Sequence, residues 1–158
     1  VSALENPFLK KLLESIFVED KEFLQEFSFH SAAKTVHHSY VGGLLEHTLS
    51  VAKLCRFYAE QYPDLNRDIL ISAALCHDIG KMKELSEFPR NDYSDEGQPK
   101  KPATMEALAL AFADNTDAKL QTMREFIEQG EKSGKAKEGN GWIGFNKLLE
   151  SNVRKSMF

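Results

Sequence analysis

Residues 69–81 read ILISAALCHDIGK. From Ile69 to Cys76 the run is apolar nearly all round, with no polar face to turn toward water. A helix of that kind belongs at the centre of its domain. Asn66 is placed to cap it and Gly80 to stop it, so the pattern predicts a buried helix over 67–79. The run then ends abruptly in His77-Asp78. A carboxylate beside an imidazole at the end of a core helix is costly unless both are satisfied. A divalent cation satisfies both, since it takes a neutral imidazole nitrogen and a carboxylate oxygen as ligands. For an isolated pair, a core His hydrogen-bonded to a helix-end Asp would serve as well.

Outward from this stretch the period is helical nearly throughout. Asn6-Pro7 reads as an N-cap followed by proline at the first helical position. Phe8, Leu9, Leu12, Leu13, Ile16 and Phe17 then form an apolar stripe. Asp20 caps a short helix with Phe23, Leu24 and Phe27 inward, and residues 31–41 hold a further helical turn. Gly42-Gly43 breaks the pattern. A long helix follows over about 44–61, with Leu45, Leu49, Ala52, Cys55 and Ala59 on one face. Residues 86–103 read as loop. Thr104 caps a long helix to about Gln129, ended by Gly130, and 131–141 read as a flexible loop. Trp142, Phe145, Leu148 and Leu149 are expected on the inner face of a final amphipathic helix. No strand and no internal repeat is evident.

Two further polar residues sit inside apolar helical patterns. His47 lies in LLEHTLSV and Asp114 in ALAFADNTDAKL. With His77 and Asp78 they give an order of His, His-Asp, Asp on three separate helices. Helical bundles build metal sites in this way, aiming side chains from facing helices at one point. The mixed imidazole and carboxylate set suits Mn²⁺, Fe²⁺, Co²⁺ or Zn²⁺ better than Ca²⁺.

With 158 residues, the chain is expected to form one domain. Hydrophobic residues at 42% and charged residues at 28% exclude a mainly disordered or collagen-like chain. No apolar run reaches the roughly 18 residues of a membrane span. The net charge of −4 argues against a stand-alone nucleic-acid coat, although residues 131–158 hold six Lys/Arg against three Glu. Cys55 and Cys76, both in apolar helical patterns, read as buried thiols in a reducing, cytoplasmic setting.

The constellation resembles the HD-domain superfamily of metal-dependent phosphohydrolases, whose motif runs H…HD…D. HHSYVGGLLEHTLSVAKL, YPDLNRDILISAALCHDIGKMKELS, YSDEGQ and PKKPATMEALALAFADNTDAKL together resemble the HD domain of the YhaM-like 3′→5′ exoribonucleases. The resemblance covers roughly residues 30–125. It implies an all-α HD-type helical bundle and metal ligation by His47, His77, Asp78 and Asp114. Mn²⁺ is the first choice of ion, with Fe²⁺, Co²⁺, Zn²⁺ and Mg²⁺ as alternatives. Asp78 and Lys81 are the catalytic residues it implies, Lys81 by contacting a substrate phosphate. His38, paired with His37, and Asp117 are the further substrate-site candidates. The implied reaction is hydrolysis of phosphodiester bonds at the 3′ end of single-stranded RNA, or of DNA. The alternatives are an HD phosphohydrolase of nucleotides or cyclic dinucleotides and a non-catalytic nucleotide-binding module. No membrane partner is implied, and a homo-oligomer is compatible.

Two departures from the family are expected to matter. The family's nucleic-acid-binding domain of OB type is absent, and the chain begins with Val1, as a fragment would. YSDEGQ also runs straight into PKKPATMEA, where the family carries further helices and histidines that can complete a second metal position. A segment missing between Gln98 and Pro99 is the expected explanation.

Overall fold

The computed structural model describes residues 1–32, 39–83, 101–138 and 140–156. His37, His38, the helical turn expected within 31–41 and the Gln98–Pro99 join fall outside them, wholly or in their greater part. The chain forms two compact units, residues 1–115 and 116–158.

In the first unit, the helices of the described residues form where capping residues and apolar spacing ask for them. Asn6 accepts hydrogen bonds from the Phe8 and Leu9 amides and opens α1, Pro7–Glu14. A π-helical turn over Ser15–Glu19 leads to α2, Lys21–Phe29, capped by Asp20 through the Phe23 amide at 2.9 Å. Gly42 turns the chain into α3, Gly43–Gln61, at a φ of +85°, a backbone conformation that suits glycine. Asn66 caps α4, Arg67–Cys76, through the Ile69 amide. Thr104 caps α5, Met105–Lys132, through the Ala107 amide, and the first part of α5 belongs to this unit.

α4 is the central element, as its apolar run predicts. Leu70 and Ala74 are fully buried and pack with Val51 and Cys55 of α3, Leu65 and Ala113 of α5. A second cluster joins Phe27, Ala32 and Leu44, with Phe23 stacked on Phe27 and Phe17 set edge-on to both rings. Asp68 ties the N-terminal segment to the start of α4. Its Oδ2 accepts from the amides of Glu5 at 2.7 Å and Asn6 at 2.6 Å, while Arg67 donates to the Ala3 carbonyl.

Several expectations are corrected here. The buried face of α3 is Leu44, His47, Thr48, Val51 and Cys55, and Leu49 is largely exposed. Putting His47 inside rotates the helix about its axis, which carries Leu49 out. Phe8 and Leu12 of α1 are exposed, and only Leu13 of that helix is fully buried. α4 ends at Cys76 rather than 79, and residues 77–80 continue as tight turns. Gly80 is not the left-handed stop expected of it. Cys76 is half-buried rather than buried, whereas Cys55 is fully buried, and both are free thiols.

In the second unit, α5 runs through Gly130 to Lys132 instead of ending there. Gly130 is needed for close approach, since a Cβ on it would strike the Ile143 side chain. Part of the expected 131–141 loop forms a short helix, α6, Lys135–Glu138. The final amphipathic helix does not form. Trp142–Asn146 (β1) and Ser151–Arg154 (β2) pair as an antiparallel hairpin, with a bulge between Trp142 and Gly144. Ile143 and Val153 are its buried residues, while Trp142, Phe145 and Leu148 are exposed and Leu149 is half-buried. Asn146 decides the turn, since its side chain accepts from the amides of Leu148 and Leu149. Apart from this hairpin, the regular structure of the described residues is helical, in keeping with the all-α expectation. Among them no helix is long and apolar enough to cross a membrane.

Candidate metal centre

α3 carries His47 inward, one turn after Leu44 and one before Val51, so the imidazole is 1% exposed. The turn that ends α4 presents His77 and Asp78 to the same place. His77 Nδ1 lies 2.8 Å from the Ala74 carbonyl, a partner that only an N–H can satisfy. That bond fixes the tautomer and leaves the Nε2 lone pair as the outward acceptor. His77 Nε2 in turn lies 3.3 Å from His47 Nε2.

The two carboxylates close on these nitrogens. Asp78 Oδ2 is 3.4 Å from His47 Nε2 and 3.4 Å from His77 Nε2. Asp114, from α5, places Oδ1 at 3.1 Å from His47 Nε2 and 4.0 Å from His77 Nε2. One ligand atom each from His47, His77 and Asp78 lies within 4.8 Å of the other two, and Asp114 joins through the imidazoles. The four residues read from the sequence therefore converge. The Asp114 side chain is 46% exposed while that of Asp78 is 13% exposed, so the cluster opens to solvent on the Asp114 side.

Electrostatics follow from the crowding. Burial works to raise the Asp78 pKa, but the bond with His47 and the charges of His77 and Lys81 overcome it. The carboxyl is held down at about 2. Asp114 is also lowered, chiefly by its bond with His47 and against the effect of burial. Lys81, one turn beyond the His-Asp pair, reaches Asp78 Oδ2 at 2.6 Å. Both cysteine thiols are pushed up by burial, Cys55 to about 11, and are poor nucleophiles.

The donor set fits a divalent ion. Asp78 Oδ2 is buried, with the Lys81 ammonium and both imidazoles gathered around it as its only near partners among the described residues. The two imidazole Nε2 atoms face each other beside that oxygen, 3.3 Å apart. A cation bound by His47, His77, Asp78 and Asp114 would use all of these lone pairs at once. The mixed N/O set matches first-row divalent metals.

The other expected site residues are less fully placed. His38 lies outside the described residues. Asp117, half-buried, follows Asp114 by about one turn of α5 and belongs to the second unit. A separate apolar groove of about 360 Å³ is lined by Tyr58, Tyr62, Leu65, Leu108 and Phe112. It lies about 16 Å along α3 from His47, at 1.5 Å per residue, and is distinct from the titratable cluster.

Comparison with known proteins bears on the same residues. Residues 44–106 match the HD domain, a span that takes in His47, His77, Asp78 and Lys81. Within that span the chain is similar to the HD-domain family. It is similar to the 3′-5′ exoribonuclease YhaM of Bacillus pumilus, at 28% identity over 79% of this chain and 53% of the relative. Similarity to the Bacillus subtilis 3′-5′ exoribonuclease YhaM is 27% over 80% of this chain and 53% of that protein. The Oceanobacillus iheyensis 3′-5′ exoribonuclease YhaM is 34% identical over 60% of this chain and 29% of its own length. The chain thus spans about half the length of the first two relatives. The Bacillus pumilus alignment runs over 169 residues, more than the 158 of this chain, so that relative carries residues with no counterpart here. No solved structure matches the chain. HD domains bind divalent metals, and the cluster of His47, His77 and Asp78 is where such an ion fits in this chain.

Proposed function

We propose that this HD domain is a metal-dependent phosphohydrolase that removes nucleotides from the 3′ end of single-stranded RNA. The observation that carries the reading is the convergence of His47, His77, Asp78 and Asp114 from three helical elements, with Lys81 beside them. Mn²⁺ is the proposed ion. When bound, the ion supplies a water of lowered pKa and draws charge from a phosphoryl oxygen.

The chain's own residues do the rest. His77, locked by the Ala74 carbonyl, presents Nε2 in one orientation. Asp78 offers one oxygen to the ion and orients the attacking water. Lys81 moves its ammonium from Asp78 to the phosphate, where negative charge develops as the bond breaks. Opening on the Asp114 side gives the strand access. His38 and Asp117 are proposed as further contacts of the substrate. The four ligating side chains define one metal position, and the residues that the relative has in excess are assigned to the Gln98–Pro99 join.

Support for RNA as substrate comes from the likeness to proteins named 3′-5′ exoribonucleases. A 5′-labelled single-stranded RNA incubated with the protein and Mn²⁺ tests it. The expected result is a ladder shortening one nucleotide at a time from the 3′ end, abolished by EDTA and by Asp78→Asn. Hydrolysis confined to free mononucleotides or cyclic dinucleotides would reject the exonuclease reading. Binding of nucleotide with no hydrolysis would make the domain a non-catalytic module.

A further inference from the structure

The β1–β2 hairpin of the second unit has two unlike faces. Ile143 and Val153 are buried, and the Ile143 side chain presses on Gly130 of α5. The bulge between Trp142 and Gly144 then resets the alternation of β1. Trp142 pairs with Arg154 and Phe145 with Asn152, and all four lie on the outer face. Trp142 is 50% exposed and Phe145 59% exposed. The Arg154 guanidinium stands 5.6 Å from the centre of the Trp142 ring. Two large aromatic rings and a stacked cation held outward on a fixed ribbon do not serve the core of this unit.

Charge selects the occupant. Residues 131–158 carry six Lys/Arg against three Glu, in a chain whose net charge is −4. Lys155 pairs with Glu131, while Lys147 and Arg154 stand exposed on the hairpin itself. Alternating rings and cations suit a strand of bases joined by phosphates, since every base has a stacking face and every linkage a negative charge. Two register steps separate Trp142 from Phe145, about 7 Å along the ribbon. That is about twice the 3.4 Å rise of one duplex strand, so the rings match bases of an unstacked single strand rather than a duplex.

We propose that the outer face of this hairpin, built from Trp142, Phe145 and Arg154, is a binding site for single-stranded nucleic acid. The two rings stack on successive bases, and Arg154 with Lys147 neutralises the adjoining phosphates. This site stands apart from hydrolysis at the metal centre and does not depend on it.

Trp142 is the single tryptophan of the chain, so its emission reports on this face alone. The whole protein in EDTA, where metal-dependent cleavage is off, is titrated with 12-nucleotide oligo(U), oligo(dT), a duplex of the same length and inorganic polyphosphate. Quenching by the single strands is expected, with weaker binding of duplex and polyphosphate. Oligo(U) above oligo(dT) assigns the site to RNA, and equal binding assigns it to single strands in general. By anisotropy of labelled oligo(U), Phe145→Ala and Trp142→Ala should each weaken binding about tenfold, and Trp142→Phe should restore most of it. Arg154→Gln should lower the slope of log affinity on log salt by about 0.7. Circular dichroism confirms that each variant is folded. Trp142 emission unmoved by every oligonucleotide overturns the proposal. Polyphosphate binding as tightly as oligo(U), with Trp142→Ala without effect, also overturns it, because charge alone then suffices. Emission that shifts with protein concentration alone gives the face to a second copy of the chain, and overturns it equally.

Discussion

Replacing Asp78 by Asn removes a charge and leaves the shape, which isolates what the carboxylate does in the metal-free protein. Its folded pKa of about 2 lies below the ordinary Asp value of 3.8. At about 1.4 kcal/mol per unit, the carboxylate contributes about 2 kcal/mol to stability at neutral pH. The folded value is depressed, so the contribution is fully present above the unfolded value near 4 and is lost as pH falls toward 2. About half should remain at pH 3. Urea unfolding followed by far-ultraviolet circular dichroism in EDTA, at pH 7 and pH 3, measures both differences between wild type and Asp78→Asn. The expected gap is about 2 kcal/mol at pH 7 and about 1 kcal/mol at pH 3. A gap that does not narrow with acid would refute the reasoning, because the loss would then come from packing rather than from charge. So would equal stability at pH 7.

Three other perturbations probe separate parts of the account. Lys81→Ala should lower kcat by about 10²–10³-fold in the exonuclease assay, with the stoichiometry of bound Mn²⁺ unchanged. Gly130→Ala should cost about 1–3 kcal/mol by overpacking against Ile143, where a helix with room for the methyl would gain about 1 kcal/mol. Thermal melts of Gly130→Ala, and of the same change combined with Ile143→Ala, read this, and the second substitution should recover part of the loss. Cys55, buried with its thiol pushed up to about 11, should resist iodoacetamide at pH 8 while half-buried Cys76 is alkylated first, as peptide mass spectrometry would show.

The parts legible in the sequence were those fixed by local chemistry. Asn6, Asp20, Asn66 and Thr104 all cap the helices expected of them, because a side-chain oxygen before an apolar run has one economical use. The apolar run 69–76 led to a central helix, and the polar residues breaking otherwise apolar patterns led to His47, His77, Asp78 and Asp114. What failed depended on rotation and on contacts distant in the chain. Treating His47 as an exception on its helix turned Leu49 inward, when the buried imidazole itself sets the face. Trp142, Phe145, Leu148 and Leu149 mimic helical spacing, and that hid the hairpin. β-branched Ile143 and Val153, with Gly144 and Asn146 between them, were the signal for strands and a turn. Gly130 read as a stop because sequence spacing does not show that Ile143 will press on it. The carboxylate of Asp68, which ties Glu5 and Asn6 to α4, was likewise out of reach, since its partners lie more than 60 residues away.

The central claim is that four side chains hold one divalent ion. Calorimetric titration of Mn²⁺ into the metal-stripped protein, beside His47→Ala and Asp114→Ala, tests it most directly. Tight binding by wild type is expected, weakened at least about 100-fold in each variant, since even the partners behind a ligand are worth 10–100-fold. No Mn²⁺ binding by folded wild type, or the same affinity in all three proteins, would contradict it.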